Sequence, residues 1–272
     1  MSTQLPSPNE IAGHYNRLLQ ELKGDYIHQR WGDSEIKRRH YRQTETAIRH
    51  ALGEVASMGE VLEIGCGPAV WTPLFLAQST GARLLDISEE MLAQARINLE
   101  RWEDGRHARK VGYTCGDFLE VDMDGAAYDT IVSARAFEYM SDKDAFVRKC
   151  FGLLRPGGTL VLVTKNKTWR DLVRTARDLA GVPREEIPVG IAMHLDLVAW
   201  DRAVEMFRSA GFGEVQARPV VIGSYHRPFT SRPGLAYADV LHRRVYRKPM
   251  SRLSRHVESL AESYVVIGRR DA

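Results

Sequence analysis

Three acidic residues each stand at the end of a short apolar run. Glu63 lies in Val61-Leu-Glu-Ile-Gly-Cys-Gly67, Asp86 in Ala82-Arg-Leu-Leu-Asp-Ile-Ser88, and Asp117 in Lys110-Val-Gly-Tyr-Thr-Cys-Gly-Asp-Phe118. Gly65 and Gly67 let the backbone turn sharply and approach a ligand with no Cβ in the way. A strand, a glycine turn and a helix open a nucleotide-binding α/β fold, and an acid about 20 residues further on meets ribose hydroxyls there. Asp86 stands 19 residues after Gly67, and a carboxylate accepts from both hydroxyls of a diol. Two residues argue against a dinucleotide. Val70 occupies the place of the third glycine of such loops. A charged Glu63 repels a pyrophosphate by about 4 kcal/mol at ~4 Å and an effective dielectric of ~20. A ligand without phosphate and with a cationic methionine end, such as S-adenosylmethionine, suits that charge better.

Four spaced motifs support this choice: Glu-x-Gly-x-Gly at 63–67, Asp-Ile-Ser-x-x-Met-Leu at 86–92, Gly-Asp-Phe at 116–118 and Leu-x-Pro-Gly-Gly at 154–158. Over residues 61–164 the chain resembles the class I S-adenosylmethionine-dependent methyltransferases. The resemblance implies S-adenosylmethionine as cofactor, held by Glu63, Gly65, Cys66 and Gly67 at the first turn and by Asp86 on the ribose. It places Asp117 on the adenine amino group, with Phe118 and Ile87 on the two ring faces. It also puts Ser133 and the stretch Ala134 to Met140 beside the sulfonium and the acceptor, so Arg135, Phe137, Glu138 and Tyr139 become acceptor-side candidates. The amino-methylating motif Asn-Pro-Pro-Tyr is replaced by Ser133-Ala-Arg-Ala, which argues against an exocyclic-amine nucleic-acid methylase.

The elements that must carry these residues follow from periodicity. Apolar residues of 9–58 fall at helical spacing in two or three helices. The family often uses such a segment as a lid, and Tyr15, Tyr26 and Trp31 are its candidate acceptor walls or simply its packing. Strands are expected at Val61–Ile64, Ala82–Ser88, Lys110–Cys115, Tyr128–Ser133, Thr159–Thr164, Val215–Val221 and Ser263–Gly268. Helices are expected at Trp71–Gln78, from Ser88 as N-cap, over Asp142–Leu154 with Ala145, Phe146 and Cys150 inward, over Thr168–Leu179, and from Asp196 to Gly211. The fold class is therefore α/β, a seven-stranded, mainly parallel, doubly wound sheet with strand seven antiparallel and an N-terminal helical cap. One domain spans 1–272: a cap over 1–58, a cofactor-binding core over 59–165, acceptor-side insertions at 166–195 and 224–260, and the end of the sheet at 196–223 and 261–272.

Composition narrows the partners. The 272 residues are 44% hydrophobic with a net charge of +3, enough for one sizeable core and no particular partner. No apolar run is long enough to cross a bilayer, and the polar N-terminus is no signal peptide. Cys66, Cys115 and Cys150 show no metal spacing, so no metal is expected. They read as buried free thiols of a cytoplasmic protein. From residue 224 on, ten Lys and Arg face four Asp and Glu, a basic stretch that either attracts an acidic substrate or nucleic acid or forms a solvated helix face.

The expected reaction is methyl transfer from S-adenosylmethionine to a small metabolite, at a hydroxyl. Nitrogen or carbon acceptors, or an RNA substrate of the basic segment, remain alternatives. Nucleic acid is not the expected partner, and monomer and homodimer both stay open. His194 is the candidate base because histidine titrates near neutrality, with His14, His28 and His226 as rivals. Arg135 and His194 are the candidate polar handles.

Overall fold

The computed structural model describes residues 6–22, 25–179, 196–222, 232–247 and 261–272. Three N-terminal helices precede the sheet: α1 (Pro8–Glu21), α2 (Tyr26–Trp31) and α3 (Glu35–Gly53). α1 starts with a capping box in which Ser7 Oγ accepts from the Glu10 N–H and Glu10 Oε2 accepts from the Ser7 N–H. Pro8 occupies its first turn, where a missing N–H costs nothing.

Seven strands follow: β1 (Glu60–Ile64), β2 (Gly81–Asp86), β3 (Val111–Cys115), β4 (Tyr128–Ala134), β5 (Leu154–Lys165), β6 (Glu214–Ile222) and β7 (Ala261–Arg269). Their order is β3-β2-β1-β4-β5-β7-β6. β1 to β5 pair in parallel, and β7 runs antiparallel to both β5 and β6. The seven-stranded, mainly parallel sheet with an antiparallel seventh strand is thus as expected. The strand order reverses between β1 and β4, and the carboxyl ends of the strands open a crevice there.

The strands bury both faces. Val61, Leu84, Val132 and Val161 pack toward α3, α4 (Pro73–Leu76) and α5 (Glu89–Arg101); Leu62, Leu85, Ile131 and Leu160 pack toward α6 (Lys143–Leu153) and, beyond α7 (Lys167–Leu179) in the chain, α8 (Trp200–Ala210). Side chains alternate between faces along each strand, so neighbours such as Val61 and Leu62 enter different cores.

Several elements differ from their expected bounds. α4 is one turn, shorter than Trp71–Gln78, because Pro73 can only start a helix and the Ser79 hydroxyl turns back to the Leu76 carbonyl. β5 begins at Leu154 rather than Thr159, and α8 begins at Trp200 rather than Asp196. Ala145 is only half-buried, whereas Phe146, Val147 and Cys150 face inward. Cys115 is exposed, at the edge strand, contrary to the reading of three buried thiols.

The cap also divides in two. α1 and α2 lie over the crevice, while α3 packs flat on the sheet and supplies Ala47, Ile48, Ala51 and Leu52 to the core. In the second insertion, α9 (Arg232–Arg247) packs on β6 and α3. Its exposed Arg243 and Arg244 face solvent, away from the crevice lining. Among the described residues, no helix is long and apolar enough to cross a membrane.

Candidate functional site

The crevice is a cleft of about 1200 Å³ including its mouth. Its floor is the loop after β1. Gly65 and Gly67 adopt φ of +68° and +52°, values that L-residues rarely reach. A Cβ on Gly65 would run into Ala136 Cβ, whereas nothing lies within 4 Å of a Cβ built on Gly67. The first glycine is required by packing; the second faces open space.

Asp86 ends β2 and holds that loop. Its Oδ2 accepts from the Gly67 N–H at 2.8 Å and its Oδ1 from the Ser88 N–H at 3.0 Å. Burial raises its pKa, and the N–H groups of Ser88, Gly67 and Ile87 oppose that rise. Each oxygen keeps a lone pair for a ligand. Ser88 caps α5 by accepting from the Met91 N–H, as expected, and its hydroxyl donates to Asn16 Oδ1 at 2.6 Å, tying the lid to the helix.

Asp117 sits on the third turn, where its Oδ1 accepts from the Leu119 N–H at 2.9 Å. Phe118 is 1% exposed and meets Phe146 edge-on, with ring centroids 5.0 Å apart. Cys66, Ile87, Asp117 and Phe118 all line the cleft with Gly65, Gly67 and Asp86.

Three expected site residues are elsewhere. Glu63 shares the strand face of Val61 and points into the layer beneath α4, where its Oε2 accepts from the Thr72 hydroxyl at 2.5 Å. Burial raises its pKa to about 8, against the Thr72 hydrogen bond that lowers it. It is therefore largely neutral at pH 7, and the direct charge repulsion argued from sequence does not apply. Ser133 is fully buried and donates to the Ile64 carbonyl at 3.1 Å, joining β4 to β1. Phe137 is 1% exposed and packs edge-on to Phe146 at 5.2 Å in the second core. The turn at Phe137–Tyr139 sends its side chain down into the sheet layer and Tyr139 up into the cleft.

The other acceptor-side candidates do converge. Tyr15, Tyr26 and Trp31 from the lid meet Arg135, Glu138 and Tyr139 across the cleft. Trp31 packs edge-on to Trp71 at 5.3 Å, so its wall and packing roles coincide. Arg135 has a φ of +71°, a strained value for a side chain with Cβ. Its Nε lies 3.0 Å from Glu138 Oε1, which also accepts from the Lys165 N–H at 2.9 Å.

His194 and His226 lie outside the described residues. Of the histidines described, none lines the cleft; His14 contacts Tyr15 from outside it, and His28 packs beneath Gly32. Sequence reasoning missed Arg30, Trp71, Met91 and Lys165, all in the lining. Lys165 had a signal available: it is the first charged residue after the apolar run Thr159–Thr164, at the carboxyl end of a central strand. Among the described residues, no group of His, Cys, Asp and Glu is placed to hold a metal ion.

Comparison with known proteins agrees with this geometry. A family model described as a methyltransferase domain matches residues 61–158. The mouse mitochondrial ubiquinone biosynthesis O-methyltransferase is 29% identical over 126 residues, 46% of this chain and 33% of its own. The chloroplastic tocopherol O-methyltransferase of Arabidopsis thaliana is 26% identical over 170 residues, 57% of this chain and 48% of its own. The matches thus span between a third and a half of those relatives. In fold, the chain is similar to a phosphoethanolamine N-methyltransferase of Haemonchus contortus solved with S-adenosylhomocysteine (TM-score 0.61, 14% identity, 98% of this chain and 61% of that one). It is equally similar to the [4+2]-cyclase SpnF (TM-score 0.62, 17% identity, 100% of both chains). Over residues 61–158, where motifs, strand order and family model coincide, the chain is similar to methyltransferase domains.

Proposed function

We propose that the protein transfers a methyl group from S-adenosylmethionine to a small-molecule acceptor, at a hydroxyl. The observation that carries this reading is the convergence of Gly67, Asp86 and Asp117 from three successive strand ends on one cleft roofed by α1 and α2. Asp86 and Asp117 are acceptors for a ribose diol and an exocyclic amine, and Gly67 leaves its side of the loop open. That donor set fits the cofactor. The chemistry it brings when bound is an electrophilic methyl group on a cationic sulfur.

The protein's part is orientation and exclusion of water. Tyr15, Tyr26 and Trp31 close over the cleft and leave an apolar, aromatic acceptor space. Tyr15 and Tyr26 stay neutral, since burial raises both pKa values. His194 remains the candidate base for a hydroxyl proton. The hydroxyl reading is favoured by the ubiquinone and tocopherol relatives, both O-methyltransferases. We also propose one domain for 1–272, with 59–165 as its cofactor-binding core.

The cyclase of the same fold makes turnover the deciding measurement, because a fold hosts unrelated chemistries. A panel of small hydroxylated metabolites and bulk transfer RNA is incubated with radiolabelled S-adenosylmethionine. Label in a small metabolite supports the proposal. Label in RNA alone, or cofactor binding with no transfer to any of them, sinks it. His194→Ala should abolish transfer while keeping cofactor affinity if that histidine is the base; undiminished turnover leaves orientation as the whole mechanism.

A further inference from the structure

Glu138 has one carboxylate oxygen committed and one not. It stands in the turn Phe137–Tyr139 after β4, is 2% exposed, and lines the cleft. Its Oε1 accepts from the Lys165 N–H at 2.9 Å and lies 3.0 Å from Arg135 Nε, so the carboxylate's charge is answered. Its Oε2 has no hydrogen-bond donor among the described residues. Buried carboxylate oxygens normally have one, since an ionised carboxylate can only accept.

The carboxylate is also held in place. The Arg135 N–H donates to the Val163 carbonyl at 2.9 Å, and Glu138 receives the Lys165 N–H, so both ends of the turn are tied to β5. Arg135 keeps its φ of +71° within that frame, a backbone strain that persists only where the surroundings impose it and that gathers at ligand sites. The position in the sheet says which ligand this is. Asp86 and Asp117 follow β2 and β3, on one side of β1, while Glu138 follows β4 on the other side. Tyr139 and the lid's Tyr15 meet at that end. Glu138 is thus placed at the end of the cleft away from the two nucleoside acceptors.

We propose that Glu138 Oε2 receives the hydrogen of the acceptor's hydroxyl and thereby distinguishes the unmethylated acceptor from its methylated product. A hydroxyl bonded in this direction keeps its oxygen lone pairs for the methyl group, an orientation effect. After transfer the oxygen carries no hydrogen. It then faces Oε2 lone pair to lone pair, which favours release. Calling this ligand the acceptor rests on the methyltransferase reading. A hydroxyl site at Oε2 does not.

The test compares phenol with anisole, its O-methylated counterpart, titrated by tryptophan fluorescence because Trp31 and Trp71 line the cleft. Both are added to the full chain with and without S-adenosylhomocysteine. Phenol should bind at least about tenfold more tightly than anisole, within what a hydrogen bond to a charged group supplies. In Glu138→Gln the amide carbonyl must take the place of Oε1, because the Lys165 N–H can only donate. The amide NH2 then replaces Oε2 and turns an acceptor into a donor of the same shape. The preference for phenol should vanish, with affinity for S-adenosylhomocysteine retained. A merely structural role for the carboxylate would leave the preference in place. Phenol binding no better than anisole to the unsubstituted protein overturns the proposal, as does a preference that survives Glu138→Gln. Loss of S-adenosylhomocysteine affinity in Glu138→Gln also overturns it, because the carboxylate then serves the cofactor's ammonium. Failure of the unsubstituted protein to bind S-adenosylhomocysteine tells against the methyltransferase reading instead. The phenol preference is then judged on the protein alone.

Discussion

The hydroxyl of Tyr15, on α1, donates to the hydroxyl of Tyr139, after β4, at 2.8 Å, and the two rings meet edge-on at 5.9 Å. This contact links the lid to the acceptor side of the cleft across 124 residues of sequence. Burial raises both phenol pKa values, so the pair stays neutral and hydrogen-bonded through the physiological range. Tyr15→Phe keeps the ring packing and removes the bond. A neutral hydrogen bond contributes about 1 kcal/mol, so opening of α1 should become about fivefold more frequent. Hydrogen exchange of the α1 amides reads this directly. Adding Tyr139→Phe should cost little more, since the bond is already lost; fully additive effects would show that the two hydroxyls act separately.

Asp86 has a double duty that separates two substitutions. Its oxygens hold the Gly67 and Ser88 N–H groups and face the cleft. Asp86→Ala strands both N–H groups and removes the ribose acceptor. Its expected cost is about 1–3 kcal/mol in S-adenosylhomocysteine affinity, the usual range for hydrogen bonds to a charged group, together with a lower unfolding midpoint. Asp86→Asn keeps one acceptor oxygen, so it should retain more of the midpoint than of the affinity. Calorimetric titration with S-adenosylhomocysteine, and with NAD as control, checks both. Heat from NAD and none from the homocysteine product contradicts the assignment.

The sheet and the acidic end of the cleft were legible because local rules govern them. Glycine turns, an acid at each strand end and the Ser88 cap are encoded within a few residues. Asp129, at the start of β4, ties strands together: its Oδ2 accepts from the Glu60 N–H at 2.8 Å and pairs with Arg155. The misplaced residues are those whose direction depends on pleat or turn geometry. Glu63 and Ser133 lie on strands, where one step in register decides between cleft and core. Phe137 and Tyr139, two positions apart in one tight turn, face opposite ways. Lys165 went unnoticed because its N–H meets Glu138, 27 residues away in sequence. The basic stretch after residue 224 agrees, over its described residues, with the reading as a solvated helix face: Arg243 and Arg244 are exposed on α9.

Glu63 gives the folded protein a pH dependence with a definite sign. Its folded pKa of about 8 lies above the ordinary glutamate value of 4.5, so the folded state retains a proton that the unfolded state has lost. Stability is then highest at low pH and falls as pH rises toward the folded pKa. His242 opposes this below the ordinary histidine value of 6.5, because burial lowers its folded pKa to about 4 and the unfolded state takes up the proton first. The clean window is therefore between pH 6.5 and 8. One proton over that interval amounts to about 2 kcal/mol. Urea unfolding should show a loss of that order, and Glu63→Gln should remove it. A slope unchanged in Glu63→Gln would assign it to another group.

The two glycines of the first loop make opposite predictions for the same substitution. Both have positive φ, so alanine costs about 1–2 kcal/mol at either position from the left-handed conformation alone. At Gly65 the added methyl meets Ala136 Cβ, on the turn that carries Arg135. Neither backbone can yield without disturbing β4, so Gly65→Ala should lower the unfolding midpoint well beyond the conformational cost. At Gly67 the methyl meets no protein atom within 4 Å. Gly67→Ala should therefore fold with only the conformational penalty. Its methyl, however, stands in the space assigned to the cofactor, so affinity for S-adenosylhomocysteine should fall by about tenfold or more, as a loss of about 1.4 kcal/mol implies. Thermal unfolding of both variants, followed by calorimetry on the Gly67→Ala protein, separates the effects. Undiminished affinity in a folded Gly67→Ala variant would move the ligand off this loop.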